Sequence, residues 1–165
     1  MHRAGARRIV LGFSGMPSVT REAWGDLAAT AFVEANVLFK VMDDEARQDL
    51  LQLAHVEDFE AGELIAADGE DERLYLVRDG TAAVLLSRDG VAVEVGELGR
   101  NAIFGEGRVL GGSRPGALVA RTAVSVLTFP APVVAAVARR FPKVRHMLEV
   151  VRTARLKDAA GKLEA

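Results

Sequence analysis

The chain has 165 residues, half of them hydrophobic and 27% charged, with a formal net charge of -2. This is the length of one domain with room for a core, and the balance excludes a disordered chain and argues against a general binder of polyanions. The absence of cysteine excludes disulfides, a thiolate metal site and a catalytic thiol. No apolar run reaches the roughly 18–20 residues that crossing a bilayer requires. Arg3, Arg7 and Arg8 precede Ile9-Val10-Leu11, a run too short and too glycine-broken for a signal peptide. The expectation is a cytoplasmic protein with no membrane contact.

Residues 1–19 carry Gly5, Gly12, Gly15 and Pro17 without a sustained period and read as an arm. Trp24, Leu27, Ala28, Ala31, Phe32 and Ala35 stand at helical spacing, so Thr20 to Ala35 predicts an amphipathic helix capped by Thr20. Such a helix packs on its own domain more often than on a partner. Asn36 to Phe39 reads as a break. A second helix is expected over Asp44 to Ala54, with Asp43 as its cap and Asp44 and Glu45 complementing its dipole.

The period then changes to two. Apolar runs near 56–60, 63–66, 73–78, 81–87 and 91–98 are separated by Ala61-Gly62, Asp68-Gly69, Asp79-Gly80 and Asp89-Gly90. Asp-Gly between alternating runs is a hairpin signal, and turns about every ten residues point to a sandwich or barrel. Glu70, Asp71 and Glu72 form a small acidic cluster that reads as a solvated turn rather than a metal site. Tyr75, inside an apolar strand, reads as core.

Phe104 to Phe129 carries the chemistry. It holds Phe104-Gly105-Glu106, a short turn of helix, a Gly111-Gly112 break, Arg114, and a run of strand character from Leu118 to Phe129. Glycines at 105, 107, 111, 112 and 116 let the backbone approach something small. An Arg fork near a helix start suits a phosphate, and a lone carboxylate accepts hydrogen bonds from a sugar hydroxyl. No nucleophile stands with a base and there is no P-loop, so catalysis is not expected.

Pro130 to Arg140 reads as a helix broken by Phe141-Pro142, and a last helix is expected from about Lys143 to Lys162. Its apolar stripe is Val144, Met147, Leu148, Val151 and Ala154. His2, His55 and His146 are scattered and form no metal set. The chain thus divides into an N-terminal arm and helix (1–36), a β domain with flanking helices (37–142) and a C-terminal helix (143–165).

The segment Phe104-Gly105-Glu106, a short helix, Arg114-Pro115-Gly116 and the strand Val119 to Val124 resembles the phosphate-binding cassette of the cyclic-nucleotide-binding domain family. The stretch Leu38 to Val56 is similar to that family's helical lead-in, and Phe59 to Val84 to its opening strands. The resemblance implies a mainly β fold with flanking helices. Its centre would be a double-stranded β-helix (jelly-roll) barrel, with N-terminal helices, a short cassette helix and C-terminal helices around it. It also implies a sensory module in which Arg114 clasps the cyclic phosphate of a mononucleotide and Glu106 binds the ribose 2′-hydroxyl. The ligand would be cAMP before cGMP or cyclic di-GMP, for which Arg108 offers a second phosphate contact. No metal or cofactor is implied. The last helix would close over the base, where Arg145, His146, Glu149 and Arg152 are candidate contacts, and would move to signal to a second subunit, a partner protein or an effector domain. No segment of winged-helix size follows Lys162, so direct nucleic-acid binding is not expected.

Three features depart from the family pattern. Pro115 replaces a small residue that has a backbone donor, at a cost of roughly 0.5–1.5 kcal/mol per lost hydrogen bond. Gly107-Arg108 replaces a small apolar pair, and the spacing from Glu106 to Arg114 is about one residue tighter. They keep open an alternative, a degenerate domain of the same fold that binds no nucleotide and serves protein interaction or dimerisation.

Overall fold

Apolar alternation from His55 to Pro130 becomes two antiparallel sheets in the computed structural model. The structure describes residues 7–8, 36–67, 72–112 and 116–164. The expected helix over Thr20 to Ala35, the Asp68-Gly69 turn, and Glu70, Asp71, Arg114 and Pro115 lie outside the described residues.

One sheet holds β1 (Arg7–Arg8), β2 (His55–Phe59), β9 (Val124–Pro130), β4 (Arg73–Asp79) and β7 (Ile103–Phe104), in that spatial order. The other holds β3 (Leu64–Ala66), β8 (Ala117–Ala120), β5 (Ala82–Arg88) and β6 (Val91–Leu98). From β2 onward the chain changes sheet at every connection except β5 to β6, which gives the jelly-roll weave. The layers are not closed into a barrel. Each ladder joins strands of one sheet.

The glycine turns do two different jobs. Asp89 and Gly90, at φ of 52° and 79°, form the tight turn of the β5–β6 hairpin. At Ala61-Gly62 and Asp79-Gly80 the chain crosses between sheets instead. The run expected as one strand from Leu118 to Phe129 is likewise two, β8 and β9, on different sheets with a bend at 121–123. In β6, Val95 is an extra residue between the partners of Val84 and Leu85, a bulge. It switches the strand's parity, so that Val95 and Leu98 both reach the interior while Glu97 is exposed.

Two cores result. Tyr75 and Val77 of β4 and Val124 and Val126 of β9 face Ile65, Ala82, Val84 and Leu118 between the sheets. The alternate residues Leu74, Leu76, Leu127 and Phe129 face a helical layer. That layer begins with α1 (Val37–Lys40), where the sequence suggested a break. Asn36 Oδ1 accepts the Leu38 N–H at 2.9 Å and starts the turn, and Leu38 and Phe39 are buried, with Phe39 stacked obliquely 5.4 Å from Phe129. In α2 (Asp44–Leu53) the cap is Asp43, whose Oδ1 accepts the Ala46 N–H. After the four-residue α3 (Glu106–Val109) and the strands that follow, α4 (Ala131–Arg140) covers β9 and β4. Phe141 is extended, Pro142 opens α5 (Pro142–Glu164), and this last helix crosses the α3 turn and β6.

Candidate functional site

The Phe104–Gly116 segment is pinned at both ends. On the entry side, Tyr75 pairs with Phe104 and Leu76 with Ile103, and the Tyr75 and Phe104 rings meet edge-on at 6.4 Å. Gly105, at φ 95°, turns the chain into α3. The turn closes through Leu110 N–H to Glu106 O at 3.1 Å and Gly112 N–H to Gly107 O at 2.8 Å. On the exit side, Gly116 has φ +91°, and a Cβ there would stand 2.9 Å from the Leu85 carbonyl oxygen. Only glycine meets both demands. β8 then pairs with β5 and β3.

Glu106 heads α3 and is 5% exposed. A carboxylate so far removed from water needs a partner, and Arg155 of α5 provides it, with Nη1 donating to Glu106 Oε1 at 2.5 Å. The Arg155 guanidinium also lies 5.9 Å from the centre of the Phe104 ring. Arg155 lines a cleft of ≈ 430 Å³ between α5 and the β5–β6 hairpin, within the roughly 300–1,000 Å³ usual for small-ligand sites. Its walls include Val84, Val95 and Leu98 from the sheet and Val151, Arg155 and Asp158 from the helix. The cleft offers apolar walls with the charged Glu97, Arg155, Asp158 and Lys162 among them, and Arg155 joins it to the buried Glu106 carboxylate. Such a site suits binding an amphipathic small molecule.

Of the residues singled out from the sequence, Phe104, Gly105 and Glu106 stand together at the start of α3, and Gly116 stands at the far end of the segment, against Leu85. Arg114 and Pro115 lie outside the described residues. Arg145 and Glu149 pair with each other at 3.3 Å on an exposed face of α5, and His146 is exposed beside them. None of these three lines the cleft. Arg152 does reach the cassette, its guanidinium lying where a Gly112 side chain would stand. Arg155 was missed, although one signal was available. It falls on the helical stripe of Val144, Leu148 and Ala159, each 7% exposed or less, where a charge calls for a partner.

Fold and site together define a ligand-binding domain of the jelly-roll kind, with a glycine-bounded cassette at the rim of its second sheet. The model of the cyclic nucleotide-binding domain matches residues 56–141, just over half of the chain, and the chain belongs to that family. Among solved structures it is similar to the regulatory subunit of a cAMP-independent protein kinase A from Trypanosoma brucei, a triple mutant bound to cAMP in its A site. That match has TM-score 0.69 and 19% identity, and covers 86% of this chain and 52% of that one. A second is a putative cAMP-binding regulatory protein from Silicibacter pomeroyi, with TM-score 0.61, 23% identity and coverage of 83% and 64%. A third is the catabolite activator protein of Thermus thermophilus, with TM-score 0.62, 27% identity and coverage of 77% and 61%. The chain spans between about half and two thirds of the length of these structures. A comparison with curated protein sequences gave no match. Among the described residues, no group of three His, Asp or Glu side chains is placed to hold a metal ion, and no helix is long and apolar enough to cross a membrane.

Proposed function

We propose that this chain is a regulatory module that binds cAMP and reports it through its C-terminal helix, acting in the cytoplasm as a binding protein rather than an enzyme. The observation that carries the reading is Glu106, a carboxylate 5% exposed at the start of the cassette helix, beside an apolar-walled cleft. In this reading Glu106 accepts the ribose 2′-hydroxyl and Arg114, between Gly112 and Gly116 in sequence, clasps the cyclic phosphate. The base rests against the apolar wall of β5 and β6. Family membership and the cAMP-bound structural neighbour support the choice of ligand.

The test is calorimetric titration with cAMP, cGMP, cyclic di-GMP and adenosine, the last carrying the base and sugar without the phosphate. Arg114→Ala removes a charge-assisted pair worth about 1.5–3 kcal/mol, so cAMP affinity falls roughly tenfold to a hundredfold. Adenosine affinity does not change with that substitution. Equal cAMP affinity in the wild type and Arg114→Ala would sink the phosphate assignment.

The signal in this reading is a change in the position of α5, which exposes Leu156. A second copy of the chain, a partner protein or an effector domain reads that change. Light scattering with and without saturating cAMP checks the first of these, and an unchanged monomer mass would remove the homodimer from the scheme.

A further inference from the structure

Two arginines of α5, Arg152 and Arg155, meet the cassette from one side of the helix. Arg155 reaches Glu106 at the start of α3, at 2.5 Å. Arg152 reaches Gly112, beyond the end of that turn: a Cβ built on Gly112 would stand 2.7 Å from both Nη1 and Nη2 and 3.1 Å from Cζ. The guanidinium fills the space that a side chain at 112 would take.

The two arginines differ in their counter-ions. Arg155 has the Glu106 carboxylate. Arg152 is half-buried, and Glu149, one turn before it, pairs with Arg145. Among the described residues no carboxylate pairs with Arg152. An arginine with nothing to hold ordinarily extends its head into water, yet this one lies against the cassette. A cation held partly out of water favours an anion beside it.

Gly112 stands two residues before Arg114, a length of chain that spans at most about 7 Å. Pro115, the next residue, has no N–H to offer an anion. A cyclic phosphate presents two exocyclic oxygens with more lone pairs than the two parallel hydrogen bonds of one guanidinium fork satisfy.

From this we infer that Arg152 is a second phosphate-binding residue: it donates to the exocyclic oxygens from the helix side while Arg114 clasps them from the cassette, and it supplies the donor that Pro115 lacks. The inference rests on the reading of the cassette given above and deepens it. The helix arginines then divide the ligand between them, Arg155 holding the sugar-binding carboxylate and Arg152 meeting the phosphate.

Calorimetric titration of the full chain tests it. cAMP and adenosine are titrated into the wild type, Arg152→Gln and Arg152→Lys. Glutamine removes the charge, and lysine keeps the charge without the fork. For a charge-assisted contact that is half-exposed, cAMP affinity is expected to fall about fivefold to tenfold in Arg152→Gln and about twofold to threefold in Arg152→Lys, with adenosine affinity unchanged in both. Equal cAMP affinity in the wild type and Arg152→Gln overturns the inference and leaves the nucleotide site standing. An equal loss for adenosine overturns it as well, because a contact to base, sugar or fold produces that pattern. A wild type that binds no cAMP overturns both.

The two phosphorothioate diastereomers of cAMP, each with sulfur in place of one exocyclic oxygen, give a second reading that needs no adenosine binding. The affinity lost on exchanging oxygen for sulfur is measured for each diastereomer in the wild type and in Arg152→Gln. For at least one of them it is expected to change by about threefold in the variant, the signature of direct coupling between side chain and phosphate. Losses that are the same in both proteins for both diastereomers overturn the contact.

Discussion

Gly116→Ala tests the way the cassette is tied to the sheet. The wild-type φ is +91°, which for an L-residue costs about 1–2 kcal/mol. The new Cβ would also stand 2.9 Å from Leu85 O, 3.1 Å from Leu86 Cδ2 and 3.2 Å from Val84 Cγ1. The first of these is backbone in a paired strand and cannot turn aside, so crowding adds about 1–3 kcal/mol. Reduced freedom of the unfolded chain returns about 0.4–1 kcal/mol. The net loss is about 2–3 kcal/mol, and at about 2–4 °C per kcal/mol for a domain of this size, Tm falls by roughly 5–10 °C. Gly90→Ala is the control. Its φ is +79° with no atom within 4 Å of the new Cβ, so the strain less the same unfolded-chain gain remains and Tm falls by at most about 6 °C. Thermal melts followed by far-ultraviolet circular dichroism read both. A Gly116→Ala melt no lower than that of Gly90→Ala would refute the claim that close approach to Leu85, beyond backbone conformation, fixes the cassette's exit.

Thr128 is 0% exposed and its Oγ1 has no hydrogen-bond partner among the described residues, so Thr128→Val is expected to raise stability by about 0.5–1 kcal/mol in urea unfolding; a loss of stability would reveal a bond to that hydroxyl. Arg73 Nη1 bonds Glu57 Oε2 at 2.8 Å, with the side chains 39% and 8% exposed. A double-mutant cycle of Arg73→Ala and Glu57→Gln is expected to give a coupling of about 1 kcal/mol, held down by solvent at the arginine, and a coupling near zero would show the pair to be incidental. Arg145→Ala removes an exposed pair at 3.3 Å; stability changes by less than about 0.5 kcal/mol and cAMP affinity by less than about twofold. A tenfold loss of affinity would put Arg145 in the site.

The parts of the fold written locally were legible in the sequence. Asp43 as a cap, the helix after it, and the five apolar runs that became β2 to β6 all follow from side-chain type and period. The Asp89-Gly90 hairpin was legible for the same reason, because its two positive φ values are demands on those two residues alone. Asp79-Gly80 carries the same local signal, yet which sheet the next strand joins depends on distant partners, and there it marks a crossing.

The Leu118–Phe129 run was read as one strand for a specific reason. Leu118, Ala120, Val124 and Val126 all enter the same inter-sheet core, so the period of two continues unbroken across the bend at 121–123. Asn36 misled because it disfavours a helix interior and favours a helix start, and only the burial of Leu38 and Phe39 decides between these.

At the site, glycine spacing and the carboxylate could be read directly, and Glu106 and Gly116 stand at opposite ends of one segment. Arg155 could not be read in the same way. An arginine on a long helix is ordinarily solvated, and its partner lies 49 residues away in sequence. Its place on the buried stripe was visible; what it holds was not.

The account turns on whether the cassette binds a cyclic nucleotide, and calorimetric titration of cAMP into nucleotide-free wild-type protein and Arg114→Ala measures that most directly. The expected result is binding by the wild type, roughly tenfold to a hundredfold weaker in Arg114→Ala. Folded wild-type protein that gives no heat with cAMP would contradict it.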